Sequence, residues 1–255
     1  MIKLFRHIRM ALLNQNKFSK YLLYALGEIL LVVIGILIAL QINNANDQRQ
    51  AREKELNYLK NITVDLKINL LEMDNFLQIR NQSIQFAQTI IGYFEGEPIT
   101  DYNAFNASAI SIYNWEKFYQ NDNTFQELIN SGNLALISND TIKNLLLDIQ
   151  LLYTKMKSEE DHYRFDTEEL IYKPLYSTMD LNPLVNNLQY QMSGGQVGKN
   201  VELDASYFKD FFKNTKLKNG FLMTIFEFDK MNGQMTEMKN MTDSLIWVID
   251  REMGR

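Results

Sequence analysis

Residues 22–42 read Leu22-Leu-Tyr-Ala-Leu-Gly-Glu-Ile-Leu-Leu-Val-Val-Ile-Gly-Ile-Leu-Ile-Ala-Leu-Gln-Ile42, an apolar run whose only charge is Glu28. As a helix the run reaches about 31 Å at roughly 1.5 Å per residue, close to the thickness of a bilayer's hydrocarbon core. A buried core helix would need protein on every side, and the polar, periodic remainder of the 255 residues is not built to supply it. A cleaved signal peptide fits poorly too. Some twenty residues precede the run, it exceeds the usual apolar region of roughly 7–15 residues, and Asn43-Asn-Ala45 lacks a small-x-small cleavage pattern. The expectation is one transmembrane helix over 21–42, retained as a signal anchor.

Charge divides at this span. Lys3, Arg6, Arg9, Lys17 and Lys20 precede it with no acidic residue, giving +5, whereas 21 of the 26 basic and 30 of the 31 acidic residues follow Ile42, giving −9. Basic residues stay on the cytoplasmic side. The N-terminus is therefore expected inside the cytoplasmic membrane, and residues 43–255 outside it, in the periplasm or beyond the cell. An acidic body without a basic stripe repels phosphate backbones, so nucleic acid is not an expected partner. The chain has no cysteine, which removes disulfides, thiolate nucleophiles, iron–sulfur clusters and cysteine-bound zinc.

Within residues 1–20, Leu4, Phe5, Ile8, Ala11 and Leu12 recur at helical spacing while Lys3, Arg6 and Arg9 point elsewhere. That pattern suits a short amphipathic helix on the inner leaflet. Lys3, Arg6, Arg9, Lys17 and Lys20 would contact anionic headgroups there, each worth about 1 kcal/mol. A disordered basic tail is the plainer alternative.

Phe5-Arg-His-Ile-Arg9, Asn16-Lys-Phe-Ser-Lys-Tyr-Leu-Leu-Tyr24, Gly27-Glu28-Ile29 and Val32-Val-Ile-Gly-Ile-Leu-Ile-Ala-Leu-Gln-Ile-Asn-Asn44 together resemble the N-terminal signature of an uncharacterised family of single-span bacterial membrane proteins. Glu55-Leu-Asn-Tyr-Leu-Lys-Asn-Ile-Thr-Val-Asp-Leu66 and Phe125-Gln-Glu-Leu-Ile-Asn-Ser-Gly-Asn133 are similar to two looser family segments. Ala45 stands where the family commonly has tryptophan, which removes an aromatic anchor from the outer interface. The resemblance implies a membrane location and a helical outer domain. It brings no activity.

Glu28 lies roughly 6 Å from the middle of the span by the helical rise. An ionised carboxylate there costs several kcal/mol unless it is paired, protonated or wetted. Gly35, seven residues on, and Ala39, four beyond that, point nearly the same way, and small residues four apart let two helices approach closely. Glu28, Gly35 and Ala39 are thus the expected contact face for a second copy or a partner span. The alternative is that Glu28 sits nearer the cytoplasmic headgroups.

The outer region reads as helix, and the fold class expected is an all-α antiparallel bundle of roughly four main helices continuing from the span. From Leu56, apolar residues alternate at three and four through Leu59, Leu66, Leu70, Met73, Leu77, Ile84, Ala87, Ile91 and Phe94, interrupted at Thr63 and Arg80. The helix over 47–94 ends in a loop at 95–103, opened by Glu95-Gly-Glu-Pro98. Further helices are expected over 124–131, capped by Thr124 with Glu127, and over 139–172, capped by Ser138 or Asn139 and broken before Pro174. A long loop over 174–200 then leads to helices over 204–214 and 220–251.

Few residues offer chemistry. Glu159-x-x-His162 has the spacing of di-iron bundles, but a second such pair is needed and the only other histidine, His7, lies before the span. His162 in Ser158-Glu-Glu-Asp-His162 therefore reads as part of a solvated charged face. Met231, Met235, Met238 and Met241 have a spacing that would suit Cu(I), yet they lie close to the core seam and read as packing. There is no phosphate loop, Gly-x-Ser-x-Gly elbow or His-Glu-x-x-His. No catalytic, cofactor or metal residue is expected. The reading is a membrane-anchored, extracytoplasmic interaction or ligand-sensing module without catalytic activity; the alternative is a tethered hydrolase using Asp and Glu carboxylates.

Overall fold

The structure, a computed structural model, describes residues 18–112 and 116–254. Among these residues it is all helical, without a strand. Helix α1 runs Phe18–Phe94, with no proline inside it. The chain forms two compact units, Met1–Asn57 and Tyr58–Arg255.

In the first unit, Leu30, Val33, Ile34, Leu37, Leu40 and their apolar neighbours on α1 are exposed on every face. An exposed apolar surface that wraps a whole helix is the pattern of a segment solvated by lipid. Among the described residues one helix is long and apolar enough to cross a membrane. Past Ile42 the surface turns polar. Asn43 donates to Asp47 at 3.0 Å, and Arg49–Glu53 and Arg52–Glu55 pair at 3.0 and 2.6 Å, one helical turn apart.

The second unit adds α2 Tyr102–Ser111, α3 Asn123–Asn130, α4 Asp140–Thr167, α5 Lys173–Thr178, α6 Leu181–Met192 and α7 Thr215–Glu252. Residues 58–94 of α1, with α4 and α7, are the three long helices here, rather than four. Their shared core joins Leu59, Ile62, Leu66, Met73 and Phe76 to Ile142, Leu146, Met156, Met235, Met238 and Leu245. Each of these large side chains gains about 1.5–3 kcal/mol from leaving water. Met231, Met235 and Met238 are buried in the cores.

The buried seam of α1 differs from the apolar pattern in an informative way. Its buried residues are Leu59, Ile62, Leu66, Asn69, Met73, Phe76, Arg80, Ser83, Ala87 and Ile90, strictly alternating at three and four. Leu59, Leu66, Met73 and Ala87 were legible. The other column is Ile62, Asn69, Phe76, Ser83 and Ile90, one residue before Thr63, Leu70, Leu77, Ile84 and Ile91; Thr63 is also buried, and those last four are half-buried. Apolar counting favoured the neighbouring column because Asn69 and Ser83 are polar. Arg80 is no interruption but a seam residue.

Other boundaries also shift. Helix α2 falls where no helix was expected; two asparagines and two serines dilute its apolar pattern, and Asp101 starts it by accepting from the backbone N–H of Asn103 and Ala104. Asp122, not Thr124, precedes α3, and Thr124 lies buried in its first turn, its N–H donating to Asp65 at 3.1 Å. Asn139 caps α4 as the Ser138-or-Asn139 alternative allowed.

Helix does not stop before Pro174. Residues Glu168–Tyr172 widen into a π turn, in which the Lys173 N–H donates to the Glu168 carbonyl, and Pro174 occupies the first turn of α5. Proline's missing N–H falls where the π turn has already interrupted the regular pairing of the continuous helix. Nor is 174–200 a long loop: it carries α5 and α6, the latter capped by Asp180 with Pro183 inside its first turn. Gly194, Gly195 and Gly198, all at positive φ, turn the chain after α6. The helix expected over 204–214 shortens to a 3₁₀ turn, Ala205–Phe208.

The π turn rests on α7 at Gly220, where an added Cβ would lie 2.5 Å from Ile171 Cγ1 and 3.2 Å from Leu170 Cβ. Gly220→Ala should destabilise the protein by about 1–2 kcal/mol, overpacking outweighing the gain in helix propensity. Gly233, exposed on the same helix with nothing within 4 Å, supplies the control. Gly233→Ala should stabilise by about 0.5–1 kcal/mol. Denaturation of the two variants in detergent checks both signs.

Candidate functional site

The seam position of Arg80 carries a full charge into the core of the second unit. Its Nη2 donates to Glu160 Oε1 of α4 at 2.7 Å, and the two residues are 3 % and 1 % exposed. The carboxylate is fully engaged. Phe118 N–H donates to the same Oε1 at 2.9 Å, and Lys157 Nζ donates to Oε2 at 2.9 Å and to the Phe118 carbonyl at 3.0 Å. The Phe76 and Phe228 rings lie 5.4 and 5.9 Å from the guanidinium carbon, within cation–π range. Burial lowers Arg80 from its ordinary value, while the Glu160 carboxylate holds it up.

The arginine is less satisfied than its partner. Arg80 Nη1 is buried and has no hydrogen-bond partner. Arg80 lines a cavity of about 320 Å³ with Phe76, Phe86, Phe228, Gln82, Ser83 and Glu116 among its walls. A buried donor left unmade costs about 1–3 kcal/mol, more when charged. A cationic residue that lines an aromatic-walled cavity gives it a charge an anionic acceptor would complement. A second cavity, about 170 Å³ and almost wholly apolar, differs on this point. Its polar residue Asn106 already donates to the Leu184 carbonyl and to Asn187.

The run Ser158-Glu-Glu-Asp-His162 that read as a solvated face is the hub of this region. Successive residues turn by about 100° on a helix, so each points toward a different neighbour. Glu159 takes Lys230 of α7 at 2.6 Å, Glu160 takes Arg80 of α1, and Asp161 pairs with Lys117. His162, with its side chain 59 % exposed, holds Nδ1 3.8 Å from Asp166 Oδ2 and 3.8 Å from Glu227 Oε1 of α7. This trio is the described group able to hold a metal ion. The signal for it was the His162-x-x-x-Asp166 spacing, which puts both on one face; nothing in the sequence pointed to Glu227.

The expected membrane residues are not brought into this site. Glu28 is half-buried on α1, Ala39 is exposed, and the space beside Gly35 is open. Lys3, Arg6, Arg9 and Lys17 lie outside the described residues, as does the side chain of Lys20.

Comparison with known proteins adds one result. Residues 28–94 match a family of unknown function (DUF6090). The match takes in residues 28–42 of the apolar run and the seam that carries Arg80. No curated protein and no solved structure matches the chain.

Beside Glu160 on α4, Tyr163 is buried, its hydroxyl 3.3 Å from Thr224 Oγ1 and its ring 4.5 Å from that of Phe228. Burial pushes its phenol from 10 up to about 12, with the Thr224 hydrogen bond pulling the other way. A folded value above the unfolded one means this contribution is complete below pH 10 and drains away toward pH 12. It amounts to about 2–3 kcal/mol. Between pH 9.5 and 11.5 the wild type should therefore lose more stability than Tyr163→Phe, by about 2 kcal/mol. Equal losses in urea denaturation of the two would overturn this.

Proposed function

We propose that this protein is a single-pass, membrane-anchored ligand-sensing module without catalytic activity. Its N-terminus stays in the cytoplasm and its helical domain, outside the cytoplasmic membrane, takes a small anionic ligand at Arg80. The observation that supports this reading is a buried arginine whose Nη1 has no hydrogen-bond partner and which lines a cavity of about 320 Å³. The Phe76, Phe86 and Phe228 walls favour an anion with an apolar body, such as an aromatic or branched carboxylate. The orientation rests on the +5 charge before the span and the −9 after Ile42.

A tethered hydrolase would need two desolvated carboxylates converging on the cavity. Glu116 is the acidic residue of its lining, and it is exposed. The non-catalytic reading is therefore preferred.

Thermal unfolding of the full chain in nanodiscs tests ligand uptake, with benzoate as the probe and benzamide as its neutral counterpart. Benzoate should raise the melting temperature and benzamide should not, and Ser111→Trp, which fills the cavity from its wall, should abolish the shift. Equal shifts from both compounds, or no shift from benzoate or other small carboxylates, would sink the reading.

The span supplies the signalling partner in this reading. Glu28, Gly35 and Ala39 fall within about 40° of one another around α1, and the open space beside Gly35 suits close approach of a second copy. A membrane two-hybrid assay should show self-association reduced severalfold by Gly35→Leu and by Glu28→Leu. Unchanged association in both variants would exclude this contact face.

A further inference from the structure

We propose that His162, Asp166 and Glu227 bind a divalent transition-metal ion, of the zinc or manganese class, between α4 and α7. His162 and Asp166 stand one turn apart on α4, and Glu227 faces them from α7. One ligand atom from each lies within 4.8 Å of both others.

The spacing distinguishes an ion from a hydrogen bond. His162 Nδ1 is 3.8 Å from each carboxylate oxygen, too long for a shared proton. Donors around a first-row ion, held at about 2.0–2.2 Å from it, are roughly 3–3.5 Å apart. Small side-chain rotations close that difference. The exposed face of His162 leaves the remaining coordination positions to water.

The second observation is the condition of Glu227. It is 4 % exposed, and its Oε2 is buried without a hydrogen-bond partner. An ionised carboxylate in that state is stabilised by a bound cation. The nearest lysine on its own helix does not serve, since Lys230 is drawn to Glu159 at 2.6 Å. Neutral imidazole with two carboxylates carries −2, which balances a divalent ion. One nitrogen and two oxygens suit zinc or manganese better than calcium or magnesium.

This site is mononuclear and differs from the Glu159-x-x-His162 pair, because Glu159 belongs to Lys230. It does not depend on ligand uptake at Arg80.

Isothermal titration of Zn²⁺ and Mn²⁺ into the full chain, purified in detergent and stripped with chelator, tests the site. One of the two ions should bind at one per chain with micromolar or tighter affinity and raise the melting temperature. His162→Ala, a change at an exposed ring that leaves the fold intact, should weaken binding at least tenfold, as should Glu227→Gln. Glu159→Gln and His7→Ala should leave binding within twofold of wild type. Absence of saturable binding, or binding unchanged by His162→Ala, would overturn the proposal.

Discussion

The buried pair between Arg80 and Glu160 is the interaction on which the second unit's polar architecture depends. Two charges withdrawn from water each cost several kcal/mol, and a single 2.7 Å contact repays that only when the remaining polar atoms are also engaged. Glu160 meets the condition. It accepts from α1 through Arg80, from its own helix through Lys157, and from the backbone of Phe118. One carboxylate thereby ties α1, α4 and the segment leading to α3. An apolar pair of the same volume would hold these elements equally well, so stability alone does not explain why charge is kept here. The features an apolar pair would not supply are the unpaired Nη1 and a charge on a residue that lines a cavity.

How much was readable from the sequence follows from the same physics. The apolar run of α1 was plain because residues 22–42 carry a single charge, Glu28, over a length that suffices to cross a membrane. The long helix beyond it was plain because its seven-residue column Leu59, Leu66, Met73 and Ala87 is apolar. Its companion column was not, since the polar Asn69 and Ser83 occupy buried positions, and at Asn69 hydrogen bonding replaces hydrophobicity: it exchanges two bonds with the Asn121 backbone. Arg80 broke the apolar pattern for the same reason. A charge is legible as core only together with its partner, and that partner is eighty residues away.

Proline and glycine misled the reading of 174–200 in a related way. They count against helix when placed inside one, but Pro183 falls in a capped first turn, where no N–H is required, and Pro174 follows directly on the π turn, where the regular pairing is already interrupted. The π turn at Glu168–Tyr172 has no sequence signature comparable to a cap. Its support is tertiary, from the close approach of α7 at Gly220.

The charged run at 158–162 shows why charge density alone does not identify a solvated face. A helix spreads four consecutive residues around its full circumference. Glu159, Glu160, Asp161 and His162 must therefore face four directions, and in this chain each direction meets a different opposite number: Lys230, Arg80, Lys117 and Glu227. Only Glu160 is deeply buried, so only there is the full desolvation cost incurred; the others hold their elements in register at the edge of water, where single pairs contribute little. Helix α4 thus works as a polar axle. Its central turn fixes the rotation of α1 through Glu160 and meets α7 through Glu159, and Arg80 and Phe228 line the same cavity. Neutralising Glu160 alone would strand Arg80 and free that rotation, whereas any one of the other three could change with little effect on the core.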